Sequence, residues 1–355
     1  MDNILAKKQL DNCYFVKTVL MIVIVFYHSI LFWSETWLTE FNPIFKSKTL
    51  AVIASWLNSF HVYAFTLVSG YIFYFLKNEK RKYDEFKPFL YSKIKRLIVS
   101  YVFVSIVWVI PIGKYFSHYT LSDIMKKYLL ATAPSQLWFL WMLFWVFIFA
   151  YFLNNFISKG VIIPVIISLF SYGLGSIGLM LNIPNVFCIW HSLRYLTFFI
   201  IGMKLRQYSD GVLKKIPIVV YIFVDMILFV IYRIVGSCEG TIFKLLFNGL
   251  NYALNIWGAI AAFYILQLLA NKMNWKDSII FRELSSKSMP IYLFHQQIIY
   301  FTIMIFNGRV NPYINSLLNF VIAIVLSFGI SYFMMKFKVT RFLIGEKINK
   351  GRGFL

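Results

Sequence analysis

The first long apolar run of the chain contains two ionisable side chains at a helical spacing. Lys17 and His28 are eleven residues apart, which in an α-helix is about three turns, so both project from nearly the same face roughly 16 Å apart. A lysine can hold an anion, and neutral imidazole can accept a proton near physiological pH. The spacing is therefore consistent with an anion site at Lys17 and a general base at His28. A snorkelling lysine and a packed core histidine are the structural alternative.

Other candidate side chains lie near the ends of the later apolar runs. Arg96 follows a basic stretch at the start of the third run, where it could bind phosphate or mark the membrane boundary. Asp225 lies within an apolar run, and the sequence identifies no partner for it. The remaining candidates are His61, Trp138, His191, Arg194 and His295. Helix packing, interfacial anchoring and pairing with lipid headgroups are the structural alternatives for this group.

Composition identifies the environment in which these side chains must work. Hydrophobic residues make up 60% of the 355 residues and charged residues only 14%, which is outside the range of soluble domains. Apolar runs of roughly 18 to 22 residues recur along the chain, and each can cross a hydrocarbon core about 30 Å thick. The net charge of +21 comes from residues placed between these runs, which argues against a nucleic-acid partner. The sequence predicts an all-α integral membrane protein.

The apolar runs and the charge clusters between them predict about ten transmembrane helices. Basic residues are concentrated in alternate connectors: eight in residues 77–96, four each in residues 204–215 and 272–287, and six from Lys336 onward. The positive-inside rule then places both termini in the cytoplasm. The predicted helices start near Tyr14, Val52, Leu97, Leu137, Val161, Val186, Ile216, Asn251, Met289 and Asn315.

The connectors are short, so we expect residues 1–355 to form one polytopic domain. The first run has full transmembrane length and no cleavage pattern follows it, so we expect it to remain in the mature protein. Cys13, Cys188 and Cys238 lack paired metal spacing, and we expect no metal site. Cys188 and Cys238 could pair if both face outward, although packing as free thiols is the preferred interpretation.

Several segments together follow one family pattern over nearly the whole chain. They are Lys17 with residues 25–29 ending in His28 and Ser29, the Phe-rich Ser-Gly segment 65–71, the basic segment 93–97, the Trp-Phe-Leu segment 137–140, the aromatic helix 195–202 ending in glycine, and the segment 288–295 ending in His295. In order and spacing they resemble the acyltransferase family 3 membrane proteins, especially the fucose O-acetylase-like branch. Much of that family has arginine at the position of Lys17, and lysine provides a point charge rather than a bidentate fork.

The resemblance implies transfer of an acyl group, most often acetyl from acetyl-CoA, to a hydroxyl of a surface polysaccharide or lipid-linked glycan. Acetyl-CoA is then a co-substrate, with no tightly bound cofactor. We expect Lys17, Arg96 and His295 to bind the donor, His28 to act as the base, and His61, Trp138 and Arg194 to bind the acceptor. A covalent acyl-histidine is a variant of this mechanism. The implied setting is the lipid of a bacterial inner or plasma membrane, and the sequence leaves a homodimer open.

Two other functions share this hydrophobicity and topology. A transporter or flippase of a lipid-linked glycan would use the cations to guide an anionic substrate without covalent chemistry. A polysaccharide polymerase would be expected to carry a large outer loop, and many transporters carry paired broken helices. Neither feature stands out in the sequence. Turnover of the thioester distinguishes the enzyme from the transporter, because a transporter leaves acetyl-CoA intact.

Overall fold

The computed structural model describes residues 2–34, 37, 42–208 and 215–346, with side chains from residue 10 onward. Within these residues every regular element is helical. This is the fold expected in lipid, because a helix satisfies its backbone N–H and C=O groups within its own segment. The prediction of an all-α multi-pass membrane protein is confirmed.

Ten helical spans in the described residues are long and apolar enough to cross a membrane, as predicted. Spans 1 to 10 are, in order, Leu10–Ser34, Lys48–Glu79, Phe86–Ser117, Ser135–Ser158, Ile162–Met180, Val186–Gln207, Ile218–Gly236, Thr241–Lys272, Ser288–Phe306 and Pro312–Met334. The helix of span 1 begins earlier, as Asp2–Leu31. Shorter helices at Leu121–Ile124, Ile279–Ser286 and Lys338–Leu343 lie outside the spans.

The contacts divide the chain into two compact units, each discontinuous in sequence. The first comprises Met1–Trp37, Lys46–Arg81 and Thr197–Ser285, and therefore contains spans 1, 2, 7 and 8 with the second part of span 6. The second comprises Leu38–Phe45, Lys82–Leu196 and Ser286–Leu355, with spans 3, 4, 5, 9, 10 and the first part of span 6. The expectation of one domain remains a prediction, and each unit is described separately below.

Spans 2 and 3 are interrupted helices. Span 2 breaks between Lys48–Asn58 and His61–Tyr74 and ends in the π-helical turn Phe75–Glu79. The break leaves carbonyls without their usual helical donors. The Ser59 hydroxyl donates to the Trp56 carbonyl at 2.7 Å, and the His61 ring bonds the Leu57 carbonyl. Polar side chains therefore add hydrogen bonds to the backbone bonds that these carbonyls accept from Ser59 and Phe60 N–H.

In the second unit, the start of span 4 lies beside the middle of span 9. The Gln136 amide donates to the Leu293 carbonyl at 3.1 Å and to Gln297 Oε1 at 2.7 Å. Gln297 is the tenth residue of span 9, Ser288–Phe306. The connector before span 4 approaches the core of this unit as well, since the Tyr101 hydroxyl of span 3 donates to the Tyr128 carbonyl at 2.6 Å.

Candidate functional site

Two of the predicted histidines meet within the first unit. Both contact the ring of Tyr27, with centroid distances of 5.1 Å to His28 and 4.5 Å to His61. His28 is half-buried and also contacts Trp37 at 5.9 Å, whereas His61 is only 1% exposed. Spans 1 and 2 thus bring the predicted base and one predicted acceptor-binding residue into a single cluster.

The orientation of His61 is set by the break in span 2. Its Nδ1 lies 2.6 Å from the Leu57 carbonyl oxygen. A carbonyl can only accept, so Nδ1 must carry the proton and, in the neutral ring, Nε2 is an acceptor. The backbone break therefore fixes the tautomer of this histidine.

Lys17 lies on the same helix as His28, three turns earlier, in an aromatic environment. It is half-buried and its Nζ is 5.3 Å from the centroid of Phe65. The Phe65 carbonyl accepts a hydrogen bond from Ser69 at 3.0 Å, so Ser69 of the Ser-Gly segment bonds its own helix. A half-buried cation over an aromatic face is attracted by the ring quadrupole, which holds Lys17 within the unit.

Two glycines allow spans 2 and 6 to cross closely in the first unit. A Cβ on Gly70 would collide with the carbonyl oxygen of Phe199, and one on Gly202 would collide with that of Leu67. Both obstacles are backbone atoms, which cannot rotate aside as a side chain can. The glycines of the family-like segments 65–71 and 195–202 are thus required by helix packing.

An ion pair that the sequence did not identify joins the ends of these two spans. Arg206 Nε lies 2.6 Å from Glu79 Oε1, and Nη2 lies 2.7 Å from Oε2. Nη1 donates to the Tyr71 hydroxyl at 3.2 Å, and the guanidinium lies over the Phe75 ring. Arg206 stands four residues after Gly202, on the face that packs against span 2. This spacing is the signal that could have separated Arg206 from the other basic residues of its connector.

The structure supplies a partner for Asp225, for which the sequence indicated none. Asp225 is buried, and its Oδ2 accepts from Trp56 Nε1 at 2.8 Å. Its Oδ1 has no hydrogen-bond partner among the described residues and lies 3.1 Å from the place a Cβ on Gly258 would take. An indole N–H is a satisfactory partner for an acid group held away from water.

In the second unit, Trp138 lies in an aromatic and polar cluster at the start of span 4. Its ring centroid is 5.1 Å from His191 and 5.5 Å from Tyr195, both on span 6. Arg194 lies between these two in sequence, and its Nη2 donates to the Tyr172 hydroxyl at 3.2 Å. Trp138, His191 and Arg194 are half-buried. Two predicted acceptor-binding residues, Trp138 and Arg194, therefore belong to one region, with His191 beside them.

A hydrogen-bond network holds the start of span 4 against span 9. Gln136 and Gln297 exchange amide hydrogen bonds of 2.7 and 3.0 Å, and the Tyr292 hydroxyl donates to the Gln136 carbonyl. His295 is fully buried, and its Nδ1 lies 2.7 Å from the Tyr292 carbonyl oxygen. His295 and the start of span 4 thus share Tyr292 as a neighbour, although the resemblance assigned His295 to donor binding and Trp138 to acceptor binding.

Arg96 has a different setting within the second unit. It is exposed in the π-helical turn Ile94–Ile98 of span 3. Its carbonyl accepts from the Ser100 hydroxyl at 3.0 Å, so the backbone of the turn is tied locally while the side chain faces outward. An exposed guanidinium can bind a phosphate in the bidentate geometry that arginine favours.

The match to a family model decides how these clusters are interpreted. A model described as an acyltransferase domain matches residues 11–336. The chain belongs to acyltransferase family 3. No curated protein and no solved structure matches it. The protein is accordingly a multi-pass membrane acyltransferase, and the matched residues include every candidate side chain described above.

The cysteines of this acyltransferase are free thiols. Cys188 is buried and its Sγ contacts the Ala131 carbonyl oxygen at 3.1 Å, while Cys238 is exposed. Packing as free thiols was the preferred interpretation of the sequence. The described part of the chain contains no cluster of three or more His, Cys, Asp or Glu side chains able to hold a metal ion.

Proposed function

We propose that this acyltransferase moves an acetyl group from acetyl-CoA to a hydroxyl of a surface polysaccharide or lipid-linked glycan. The family match over residues 11–336 carries this proposal. The fucose O-acetylase-like segments support the acetyl donor and the carbohydrate acceptor. The charge pattern supports cytoplasmic termini in a bacterial inner or plasma membrane, which would give the enzyme access to cytoplasmic acetyl-CoA.

His28 is the base in this proposal. It would take the proton of the acceptor hydroxyl as that oxygen attacks the thioester carbonyl, and the CoA thiolate would leave. Its half-buried position beside Tyr27 and Trp37 supports the role, because the ring is restrained but not fully enclosed. His61, which also contacts Tyr27, would orient the acceptor through Nε2.

Cations bind the donor in this proposal. Lys17 and the exposed Arg96 would hold phosphates of acetyl-CoA, and His295 would also bind the donor. Trp138 would present an aromatic face to the sugar, with Arg194 nearby. The restraint of Lys17 by Phe65 supports a fixed rather than a mobile cation.

The test is transfer of radiolabelled acetyl from acetyl-CoA to surface glycan in membranes with matched expression. His28→Asn should abolish transfer while the protein still inserts and folds. The control is His118→Asn, because His118 is exposed in a connector at φ +47°, a conformation that asparagine tolerates. Full transfer by His28→Asn would overturn the assignment of the base. Intact acetyl-CoA in every sample, together with glycan translocation, would favour the transporter.

Lys17 is tested separately by its effect on donor use. Lys17→Ala should raise the KM for acetyl-CoA about tenfold or more, since a charge-assisted hydrogen bond is worth about 1.5–3 kcal/mol, and Lys17→Arg should retain most of the affinity. An unchanged KM in Lys17→Ala would mean that the lysine only anchors its helix.

A further inference from the structure

His191 and Asn185 form a bonded pair at the start of span 6. The amide nitrogen of Asn185 contacts His191 Nδ1, while Asn185 Oδ1 accepts from the Trp190 backbone N–H at 2.9 Å. Asn185 is 8% exposed. Since a backbone N–H only donates, the amide atom facing it must be oxygen. The atom facing His191 is then the NH₂ group, and the orientation of the amide follows from its bonds.

This geometry determines the tautomer of His191. A nitrogen that receives a hydrogen bond must present its lone pair, so Nδ1 is unprotonated and the neutral ring carries its proton on Nε2. Among the described residues, no group bonds this Nε2. His191 therefore offers a donor, the opposite polarity to His61, whose Nδ1 is the protonated nitrogen.

The surroundings of His191 are held in unfavourable backbone conformations. Ala131, Phe187 and Cys188 have φ of 50°, 50° and 58°. The Phe187 N–H donates to the Leu130 carbonyl at 2.8 Å, so the two loops pack on each other within the second unit. Left-handed conformations at bulky non-glycine residues persist only when the surrounding structure enforces them, and such residues cluster at functional sites.

We propose that His191 determines acceptor binding by donating its Nε2–H to an oxygen of the sugar that lies on Trp138. Asn185 is the positioning residue, because its bond to Nδ1 keeps the proton of the neutral ring on Nε2. The inference rests on the proposed function. The ring of His191 is 5.1 Å from that of Trp138, so an aromatic face and a hydrogen-bond donor adjoin, which suits a ring with apolar faces and hydroxyls at its edge.

Replacing Asn185 by aspartate turns the hydrogen-bond donor that faces His191 Nδ1 into an acceptor, without changing the shape of the side chain. One carboxylate oxygen of Asn185→Asp can still accept from Trp190 N–H, but the other would accept from Nδ1–H. The neutral His191 ring then loses its proton at Nε2. Only the imidazolium, protonated on both nitrogens, would restore the donor. Arg194 is the charged group that acts on His191. Trp138 on span 4 packs against the His191 ring, and Tyr195 of span 6 packs against Trp138.

We expect Asn185→Asp to reduce acetyl transfer about tenfold at neutral pH. The loss should appear in kcat/KM for the glycan acceptor, and the KM for acetyl-CoA should be unchanged. Its activity relative to wild type should rise as pH falls, because the imidazolium regains Nε2–H. His191→Gln, which keeps an N–H donor, should transfer more than His191→Leu. An Asn185→Asp variant equal to wild type at every pH, or equal activities of His191→Gln and His191→Leu, would refute the inference.

The outcomes separate this inference from the proposed function. If wild type transfers no acetyl, the proposed function fails. The tautomer is then read directly by ¹⁵N NMR of histidine-labelled protein, in which His191→Gln identifies the His191 signal. A proton on Nδ1 in the neutral ring overturns the inference. If Asn185→Asp does not fold, which thermal unfolding in detergent would show, the comparison of His191→Gln with His191→Leu decides.

Discussion

The ion pair between Arg206 and Glu79 should respond unequally to removal of its two partners. Arg206 is 8% exposed, whereas Glu79 is 36% exposed. Glu79→Leu removes the carboxylate that accepts from two N–H groups of this buried cation. Arg206→Met leaves a carboxylate that water can reach, and the methionine fills much of the vacated space. Breaking a buried pair by removing one partner costs about 3–5 kcal/mol.

We expect Glu79→Leu to lie near the lower end of that range, at about 3 kcal/mol, because the partner is only partly buried. Arg206→Met should cost roughly half as much, since the hydrated carboxylate escapes most of the desolvation penalty. In the double variant no stranded charge remains, so its stability should resemble that of Arg206→Met rather than the sum of the two single changes.

The assay is reversible unfolding of purified protein in mixed micelles by a denaturing detergent, followed by tryptophan fluorescence. A loss of 3 kcal/mol corresponds to a change of about 150-fold in the unfolding equilibrium constant. Equal destabilisation by the two single variants, or a double variant that loses the full sum, would show that the stranded arginine charge is not the dominant cost.

Two further predictions concern packing and the buried acid. Gly202→Ala should destabilise the protein by about 2 kcal/mol or more, because its Cβ meets the Leu67 carbonyl oxygen; Gly249→Ala, with open space around its Cβ, should be neutral or stabilising in the same unfolding assay. Asp225→Asn should change the stability of the protein by less than about 1 kcal/mol, because Trp56 needs only an acceptor, whereas Asp225→Leu should lower it by about 1–3 kcal/mol. Equal losses in the two variants would show that the indole hydrogen bond is not the cause of the destabilisation.

The location of the ten spans could be predicted closely from apolar runs, while several helix ends could not. The predicted starts Leu137, Val186 and Met289 agree within two residues with the spans Ser135–Ser158, Val186–Gln207 and Ser288–Phe306. Spans 3 and 8 begin about ten residues before the predicted starts Leu97 and Asn251. Polar residues there lower the hydropathy, but a helix continues through them because its backbone hydrogen bonds do not require an apolar side chain.

The candidate side chains were partly predictable, and their partners were not. The resemblance singled out Lys17, His28, Trp138 and His295 by residue type and order. Asn185 gave no signal, because an asparagine before a helix is ordinarily read as a cap or turn residue. Its role is visible only in the structure, where its side chain bonds both the Trp190 N–H and the His191 ring.

The sequence by itself determined that the chain folds as helices in a membrane, because long apolar runs in lipid must satisfy every backbone polar group internally. The tertiary structure decided which polar groups meet. Arg206 pairs with Glu79 127 residues away, and Asp225 with Trp56 169 residues away. Such pairs depend on the rotation and crossing of whole helices, which are set by contacts such as Gly70 against Phe199. Local sequence decides which segments are apolar helices, but packing against the neighbouring helices decides which face carries the chemistry.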